Sequence, residues 1–304
     1  MEQNSMTALV SAFARAYHAA NKTVKIFDDS QAGRLLTQEE YAQAARSMSE
    51  GGQFFYPGFQ GTRQEALQWV VDNQLSPTPL ARAAFAEKTL QTAAQTGAGQ
   101  YLIFGAGYDT FAYRQPAWAA NLQVFEMDRP AAAADKKTRL EGANIPIPGN
   151  VHYVAADFTQ AQWQTALTGN TVFNSNKISF CSLLGLVYYL PKSTRHTMLA
   201  KLGGLLPKGS ALVFDYPDEN SYTENAGERA KKQAMLAGAA KETMLASYAY
   251  AEMEATLAEH GFLIYEHLTP EEMTAQYFAA YNQANPGQPM TAFDNVNYCL
   301  AVKE

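Results

Sequence analysis

The sequence predicts an α/β fold in which a doubly wound, mostly parallel sheet of seven strands follows an N-terminal helical extension. Two observations predict it. Short β-rich segments alternate with helical segments from residue 100 onward, and the residues before them have helical periodicity. Strands that alternate with helices form parallel sheets covered on both faces. We therefore divide the chain into an extension, 1–96, and a sheet-containing core, 97–304.

The extension is predicted to contain four helices, separated by breaks rich in Pro and Gly such as Phe55-Tyr-Pro-Gly58. Their predicted ranges are 7–20, 38–48, 64–74 and 80–96. In the core, the strands are predicted at 101–104, 124–127, 151–155, 178–184, 212–216, 262–267 and 297–302.

The connection between the fifth and sixth strands, 217–247, is unusually long and carries charged and alanine-rich sequence typical of helices. Long connections at the carboxyl end of a strand are often functional. We interpret it as a helical insert, which is either a lid facing a substrate or a purely structural hairpin.

The composition limits the class of protein. The 304 residues are 47% hydrophobic and 17% charged, which is typical of globular proteins. The net charge of −6 gives no electrostatic reason to expect a nucleic-acid partner. The densest basic cluster, Lys136, Lys137 and Arg139, is interpreted as a solvated helix face. Cys181 and Cys299 lie in apolar segments and are expected to be reduced core residues, and no cysteine or histidine spacing indicates a metal site.

The N-terminal residues lack the basic start and apolar centre of a signal peptide. The longest uncharged apolar run, 178–191, is shorter than the ~20 residues that a membrane-spanning helix needs. We therefore expect a cytoplasmic protein without a membrane partner. The oligomeric state is left open.

A glycine turn after the first strand is the most informative motif of the chain. The strand ends in Gly105-Ala-Gly107, where residues without a Cβ allow a sharp turn and a close approach to a ligand. The second strand ends in Asp128, 23 residues after Gly105. A carboxylate at about this distance accepts hydrogen bonds from a ribose in open α/β sheets. A tight turn without a ligand is the alternative.

The residues of the turn also distinguish between nucleotide ligands. A dinucleotide fingerprint has a third glycine where this chain has Thr110, and the turn contains an acid, Asp109. A carboxylate beside a pyrophosphate would be repulsive, whereas beside a cationic nucleoside it is tolerated. The turn therefore favours S-adenosylmethionine over NAD.

Two motifs resemble those of the leucine carboxyl methyltransferase family, in its branch of bacterial polyketide-type O-methyltransferases. Gly105-Ala-Gly-Tyr-Asp-Thr-Phe-Ala-Tyr-Arg114 is similar to the family signature G-a-G-x-D-T-x-x-x-R, and Phe125-Glu-Met-Asp-Arg-Pro130 to F-E-V-D-x-P. The resemblance covers most of the chain. It implies the Rossmann-like fold of class I S-adenosylmethionine-dependent methyltransferases, with an antiparallel last strand.

The resemblance also implies cofactor-binding residues. Gly105, with Gly107 and Asp109 in the same turn, would lie against the cofactor, and Asp128 would bind its ribose. Asp157 and Phe158 would contact the adenine, although Asp157 could instead be a helix N-cap before Thr159.

Two arginines are candidates for the methionine end of the cofactor. Arg82 would bind the methionine carboxylate, a task for which the two-pronged guanidinium is suited. Arg15 is a second candidate cation for the pocket or else an exposed helix charge.

The chain departs from the family at the end of the fourth strand. The family usually has an acid in E-G-v-x-x-Y-L, whereas this chain has Leu184 in the acid's place. Either another group compensates, with Asp109 and Ser182 as candidates, or cofactor affinity and substrate orientation differ from the family norm.

The expected activity is O-methyl transfer from S-adenosylmethionine, with S-adenosylhomocysteine as product, to a small-molecule acceptor. Alignment of the reacting atoms is the main requirement, so no catalytic residue is assigned. A carboxylate acceptor needs no general base and a phenol would benefit from one, so the lack of an obvious histidine–acid pair favours a carboxylate. Four tyrosines after strands four and five are candidates for the acceptor pocket: Tyr188, Tyr189, Tyr216 and Tyr222. Core packing is the alternative for Tyr188 or Tyr189.

Two rival functions are considered. A non-catalytic S-adenosylmethionine-binding module would keep the fold without performing the transfer. A nicotinamide-dependent dehydrogenase of the short-chain type would use Tyr188 and Lys192, but Pro191 argues against the single helix that would place them one turn apart.

Overall fold

The computed structural model describes residues 6–160, 162–239, 244 and 246–304. The strands β1 to β7 are Gln100–Phe104, Gln123–Asp128, Val151–Ala155, Ser179–Leu183, Ala211–Pro217, Phe262–Leu268 and Val296–Lys303. The helices α1 to α12 are Met6–Asn21, Gln38–Glu50, Gly52–Phe55, Arg63–Val70, Pro77–Gln95, Pro130–Gly142, Trp163–Thr168, Lys192–Leu205, Glu228–Ala239, Tyr250–Glu259, Pro270–Met273 and Ala279–Ala284.

The strands form a single sheet in the order β3-β2-β1-β4-β5-β7-β6. The strands β1 to β5 pair in parallel, and β7 is antiparallel to both of its neighbours. The predicted fold class is confirmed, including the antiparallel last strand. The chain proceeds to opposite sides of β1, towards β2 and towards β4, and ligands of open α/β sheets bind at such a reversal of strand order.

Alternating side chains of the strands build a core on each face of the sheet. Tyr101 of β1 packs on one face with Phe85 of α5, and Leu102 packs on the other face with Leu199 of α8. This alternation follows from the two-residue period of a strand and requires helices on both faces. Cys181 and Cys299 are free and buried in the second of these cores, as expected.

Local capping interactions mark the first residues of several helices of the extension. The side chains of Thr37 and Glu40 form a reciprocal capping box at the start of α2, and those of Thr62 and Glu65 form another at the start of α4. Pro77 occupies the first turn of α5, where its missing N–H is not needed. The last helix of the extension, α5, packs directly on β4, β5 and β7. None of the described helices is both long and apolar enough to cross a membrane.

The predicted insert contains α9. Residues 240–243 and 245 of the insert lie outside the described part of the chain. Gln233 and Leu236 of α9, and Met244 after it, contribute to the wall of the cavity described below.

The interpretation of the basic cluster on α6 as a solvated face holds for Lys137, which is exposed, and is wrong for Lys136 and Arg139. Lys136 is 1% exposed, and its ammonium group lies 2.8 Å from a carboxylate oxygen of Glu126 on β2. Arg139 forms ion pairs with Glu40 and Asp135. One face of α6 packs against the extension and the sheet, and the two cations on it, Lys136 and Arg139, compensate buried or half-buried acids.

Candidate active site

A cavity of about 970 Å³ opens at the carboxyl ends of β1 to β4, beneath α1 and α9. Its size is at the upper end of the range for ligand sites in proteins. The fold brings every predicted cofactor-binding residue to its wall: Arg15, Arg82, Gly105, Gly107, Asp109, Asp128, Asp157 and Phe158.

The glycine turn has the backbone conformation that its sequence requires. Gly105 and Gly107 have φ values of +66° and +41°, in the left-handed region that side chains with a Cβ rarely adopt. The N–H of Gly105 donates to the carbonyl of Met127 on β2. The turn is thereby fixed to the end of the neighbouring strand.

Asp128 holds the turn and also faces the cavity. Its Oδ2 accepts a hydrogen bond from the N–H of Gly107, and its Oδ1 accepts one from the N–H of Arg129, both at 2.7 Å. A carboxylate has about four lone-pair positions, so each oxygen retains one for a ligand hydroxyl.

Asp109 continues the turn into a short 3₁₀ helix. Its Oδ1 accepts a hydrogen bond from the N–H of Phe111 at 2.8 Å, at the start of the segment Phe111–Tyr113. The adjacent Thr110 is buried and donates to Asp29 at 2.6 Å. The motif therefore joins the turn to residues of the helical extension.

Arg15 takes part in the contacts that join the glycine turn to the helical extension, so the interpretation of it as an exposed helix charge is wrong. Arg15 belongs to α1, and its side chain is only 10% exposed. Its guanidinium donates to the carboxylate of Asp29 at 2.8 Å, the hydroxyl of Ser11 at 2.9 Å and the carbonyl of Tyr108 at 2.7 Å. The bond to Tyr108 connects α1 to the glycine turn, so the helix is anchored over the cavity.

Two acids complete this network, Asp29 and Glu87, and neither belongs to a motif that would have marked it in the sequence. Arg114, the last residue of the signature, forms a two-pronged pair with Glu87 and lies 3.6 Å from Asp29. Burial alone would raise the pKa of Asp29, but Arg15 and Arg114 hold it below its usual value. Arg114 is therefore occupied by protein acids.

Asp157 and Phe158 form the far wall of the cavity. The Oδ1 of Asp157 accepts hydrogen bonds from the hydroxyl and the N–H of Thr159, which lower its pKa. The next helix, α7, starts only at Trp163, so the alternative of a helix N-cap is wrong. The ring of Phe158 packs against Phe104 and Trp163.

Arg82 lies at the opposite side of the cavity, next to the end of β4. Its Nη1 is 3.5 Å from Oδ2 of Asp215, and its Nη2 donates to the hydroxyl of Ser11 at 3.2 Å. The proposed substitutes for the family acid have other partners, since Asp109 accepts from Phe111 and Ser182 is bonded to a buried tyrosine hydroxyl. Asp215 was not predicted.

Two of the four candidate tyrosines line the cavity, namely Tyr188 and Tyr189. Tyr216 is buried and hydrogen-bonded to His267, and Tyr222 is 39% exposed. The part of the cavity wall contributed by the helical extension and the insert contains several apolar side chains: Met48, Phe55, Leu75, Leu236 and Met244.

A separate cluster of metal-ligand side chains lies at the surface where α8 meets the end of α10. Among the described residues, His196, Glu259 and His260 are close enough to share an ion. His196 approaches His260 with Nδ1 and Glu259 with Nε2, which lie on different sides of one ring. Exposed clusters of this kind are common without an ion, and the prediction that the protein needs no metal stays a prediction.

Comparisons with known proteins agree with this site. Residues 8–203 match the model of the family described as leucine carboxyl methyltransferase. A putative S-adenosyl-L-methionine-dependent methyltransferase of Bacillus subtilis, YktD, is 38% identical, over 99% of this chain and 99% of its own. A Mycobacterium ulcerans protein with the same description is 32% identical over 47% of this chain and 45% of its own.

Solved structures share the fold. A putative methyltransferase from Thermobifida fusca has a TM-score of 0.62 at 12% identity, and it covers 99% of this chain and 96% of its own. A duf574 family protein from Streptomyces avermitilis has the same TM-score at 14% identity, with 97% of each chain covered.

The fold and the cavity therefore define a Rossmann-like S-adenosylmethionine-dependent methyltransferase. The chain belongs to the leucine carboxyl methyltransferase family. The predicted family is confirmed, and with it the cofactor and methyl transfer as the class of reaction.

Proposed function

We propose that this protein transfers the methyl group of S-adenosylmethionine to an oxygen, a carboxylate or a hydroxyl, of a small and largely apolar molecule. The observation that carries the proposal is the cavity itself. It combines a carboxylate on the glycine turn, Asp128, with a cation, Arg82, and an apolar acceptor side.

The residues present fit the three parts of the cofactor. Asp128 retains acceptor positions for the two ribose hydroxyls. Phe158 offers an apolar wall for the adenine, and Asp157 beside it an acceptor for the exocyclic amine. Arg82 offers a planar guanidinium to the methionine carboxylate. A cavity of about 970 Å³ leaves room for an acceptor as well.

The bound cofactor supplies a methyl group on a sulfonium, which is already an excellent leaving group. The protein's contribution is then to hold the acceptor oxygen in line with the methyl carbon and to exclude water. The bonds from Arg15 to the carbonyl of Tyr108 and from Arg82 to the hydroxyl of Ser11 hold α1 over the cavity above the glycine turn. This arrangement requires no covalent intermediate with the protein.

The surroundings of the acceptor favour a carboxylate over a phenol. Within the described part of the chain, no histidine lines the cavity. A carboxylate with a pKa of ~4 is ionised at neutral pH and needs no base, whereas a phenol with a pKa of ~10 gains from one. The apolar wall of Met48, Phe55 and Leu75 suits an acid with an apolar body.

The dehydrogenase alternative does not fit the structure. Tyr188 lies in the 3₁₀ segment Val187–Tyr189, whereas Lys192 begins α8 beyond Pro191. The ammonium group of Lys192 is bonded to Glu252, with both side chains largely exposed. The two residues do not form a Tyr–Lys pair on one helix.

The test is methyl transfer from S-adenosylmethionine labelled in its methyl group, offered with a library of apolar carboxylic acids and a matched library of phenols. We expect labelled products that release methanol in alkali, because methyl esters hydrolyse there and methyl ethers do not. Label that is stable in alkali would refute the carboxylate preference. Cofactor binding without transfer to either library would support the non-catalytic module.

A further inference from the structure

Asp215 is a fully buried carboxylate at the end of β5, directly behind the wall of the cavity. Its Oδ1 accepts a hydrogen bond from the N–H of Gly185 at 2.7 Å. Its Oδ2 accepts one from the hydroxyl of Tyr188 at 3.0 Å and lies 3.5 Å from Nη1 of Arg82. The carboxylate has no exposed surface, so these contacts replace its hydration.

All three partners of this carboxylate line the cavity, whereas Asp215 does not. They come from α5, from the turn after β4 and from the 3₁₀ segment that follows it. A buried charge is costly unless it is paired and hydrogen-bonded, so the contacts hold the three elements in one arrangement. A single side chain thereby fixes one end of the cavity from outside.

Gly185 allows the guanidinium to lie directly on the turn. Its φ is +62°, and a Cβ added there would collide with the guanidinium group of Arg82. Any other residue would be strained by the backbone conformation and would displace the arginine. The glycine and the buried acid therefore act on the same cation.

Arg82 is held by Asp215 behind it and by Ser11 at one side, and part of its surface is open to the cavity. Its Nη2 donates to the hydroxyl of Ser11, and the side chain is 20% exposed. Burial alone would lower the pKa of Arg82, but Asp215 raises it above its usual value. The guanidinium remains charged while its orientation is restricted.

We propose that Asp215 is a positioning residue for the amino-acid end of the cofactor, which orients Arg82, Gly185 and Tyr188 towards the methionine group without touching it. The inference rests on the proposed binding of S-adenosylmethionine in this cavity. Two-pronged recognition of a carboxylate depends on the plane of the guanidinium, so fixing that plane improves binding even though Asp215 offsets part of the positive charge.

This position also accounts for Leu184 at the end of β4. The leucine contributes an apolar side chain to the cavity. The negative charge next to the turn after β4 is supplied instead by Asp215 on the adjacent strand, β5. An acid in place of Leu184 would contact the ligand directly. Asp215, behind the wall, acts only through Arg82, the turn at Gly185 and Tyr188.

The test compares two ligands by isothermal titration calorimetry of the full-length protein and its Asp215→Asn variant. S-adenosylhomocysteine has the amino-acid group, and 5′-methylthioadenosine has the same nucleoside thioether without it. We expect Asp215→Asn to raise the Kd of S-adenosylhomocysteine about 10- to 100-fold, because an oriented charged contact is lost. The Kd of 5′-methylthioadenosine should be unchanged.

The matched control is Asp72→Asn, which alters another buried carboxylate that is paired with a cation, Lys22, outside the cavity. Asp72→Asn should change neither the Kd of S-adenosylhomocysteine nor that of 5′-methylthioadenosine. Equal weakening of both ligands by Asp215→Asn, or no weakening of either, would overturn the proposal. If Asp215→Asn does not fold, Gly185→Ala replaces it with the same expectation and the same contrary results. Failure of the unaltered protein to bind either ligand would instead contradict the proposed function.

Discussion

Replacement of Asp128 tests the site most locally, because this side chain joins the glycine turn to the expected ribose. Asp128→Ala removes both carboxylate oxygens. Asp128→Asn keeps the shape and one oxygen, but its NH₂ group must face the N–H of either Gly107 or Arg129, which are both donors. The two variants therefore distinguish the effect of the shape of the side chain from the effect of its capacity to accept hydrogen bonds.

The magnitude follows from the number of hydrogen bonds. A hydrogen bond to a charged group contributes about 1.5–3 kcal/mol, so two ribose hydroxyls on Asp128 contribute at least about 3 kcal/mol. Asp128→Ala should then raise the Kd of S-adenosylhomocysteine about 100-fold or more. Asp128→Asn, which retains one acceptor, should raise it about 10-fold.

The assay is calorimetric titration of S-adenosylhomocysteine, with urea unfolding to confirm that each variant is folded. Asp218→Asn is the control, because Asp218 follows β5, also accepts a backbone N–H and lies outside the cavity. Affinities of both Asp128 variants equal to that of the unaltered protein would refute the assignment of the ribose site.

Three further predictions concern the surroundings of the cavity. Phe158→Ala should lower the free energy of unfolding in urea by about 3 kcal/mol and weaken S-adenosylhomocysteine and 5′-methylthioadenosine alike; an effect on only one ligand would contradict its place beside the adenine. Lys136→Met should destabilise by about 3–5 kcal/mol, because it leaves Glu126 buried without its cation. Burial raises the pKa of Glu126 and Lys136 lowers it, so in the variant this pKa rises further; the folded variant then takes up a proton more readily at pH 5 than at pH 8, and the loss of stability should be larger at pH 8. A loss independent of pH would contradict the pairing. Hydrogen bonds from Arg139 lower the pKa of Glu40 from 4.5 to about 2, so their contribution is complete above pH 4.5 and disappears as the pH falls to about 2. Glu40→Gln should therefore cost about 1 kcal/mol at pH 7 in this partly solvated pair, and less at pH 3, in urea unfolding at the two pH values; equal costs would show that the charge does not contribute.

The sheet and the glycine turn could be predicted because their signals are local. A short apolar run indicates a strand, and the predicted ends of all seven strands lie within two residues of the observed ends. The conformations of Gly105 and Gly107 are ones that glycine adopts most readily, so the sequence is informative about the backbone there. Asp128 followed from its distance to that turn.

Asp215 could not be predicted because its environment is assembled from distant segments. Gly185 and Tyr188 are about 30 residues away in sequence, and Arg82 more than 130. In the sequence, Asp215 is simply an acid at the end of an apolar strand. Only the parallel pairing of β4 with β5 shows which turn it supports.

The misinterpretation of Lys136 has a related cause. A lysine among other charged residues on a helix is usually solvated, and local sequence does not record that α6 packs against β2. In the sequence, its partner Glu126 is only one of the acids near the end of the second strand. Burial of the pair is a property of tertiary packing, and the same holds for Arg15 with Asp29.

A crystal structure of the protein with S-adenosylhomocysteine would test the central claim most directly. We predict that the ribose hydroxyls lie within hydrogen-bond distance of Asp128 and that the methionine carboxylate contacts the guanidinium of Arg82. The adenine should lie against Phe158. A ligand bound outside this cavity, or bound in it with its carboxylate away from Arg82, would contradict the account.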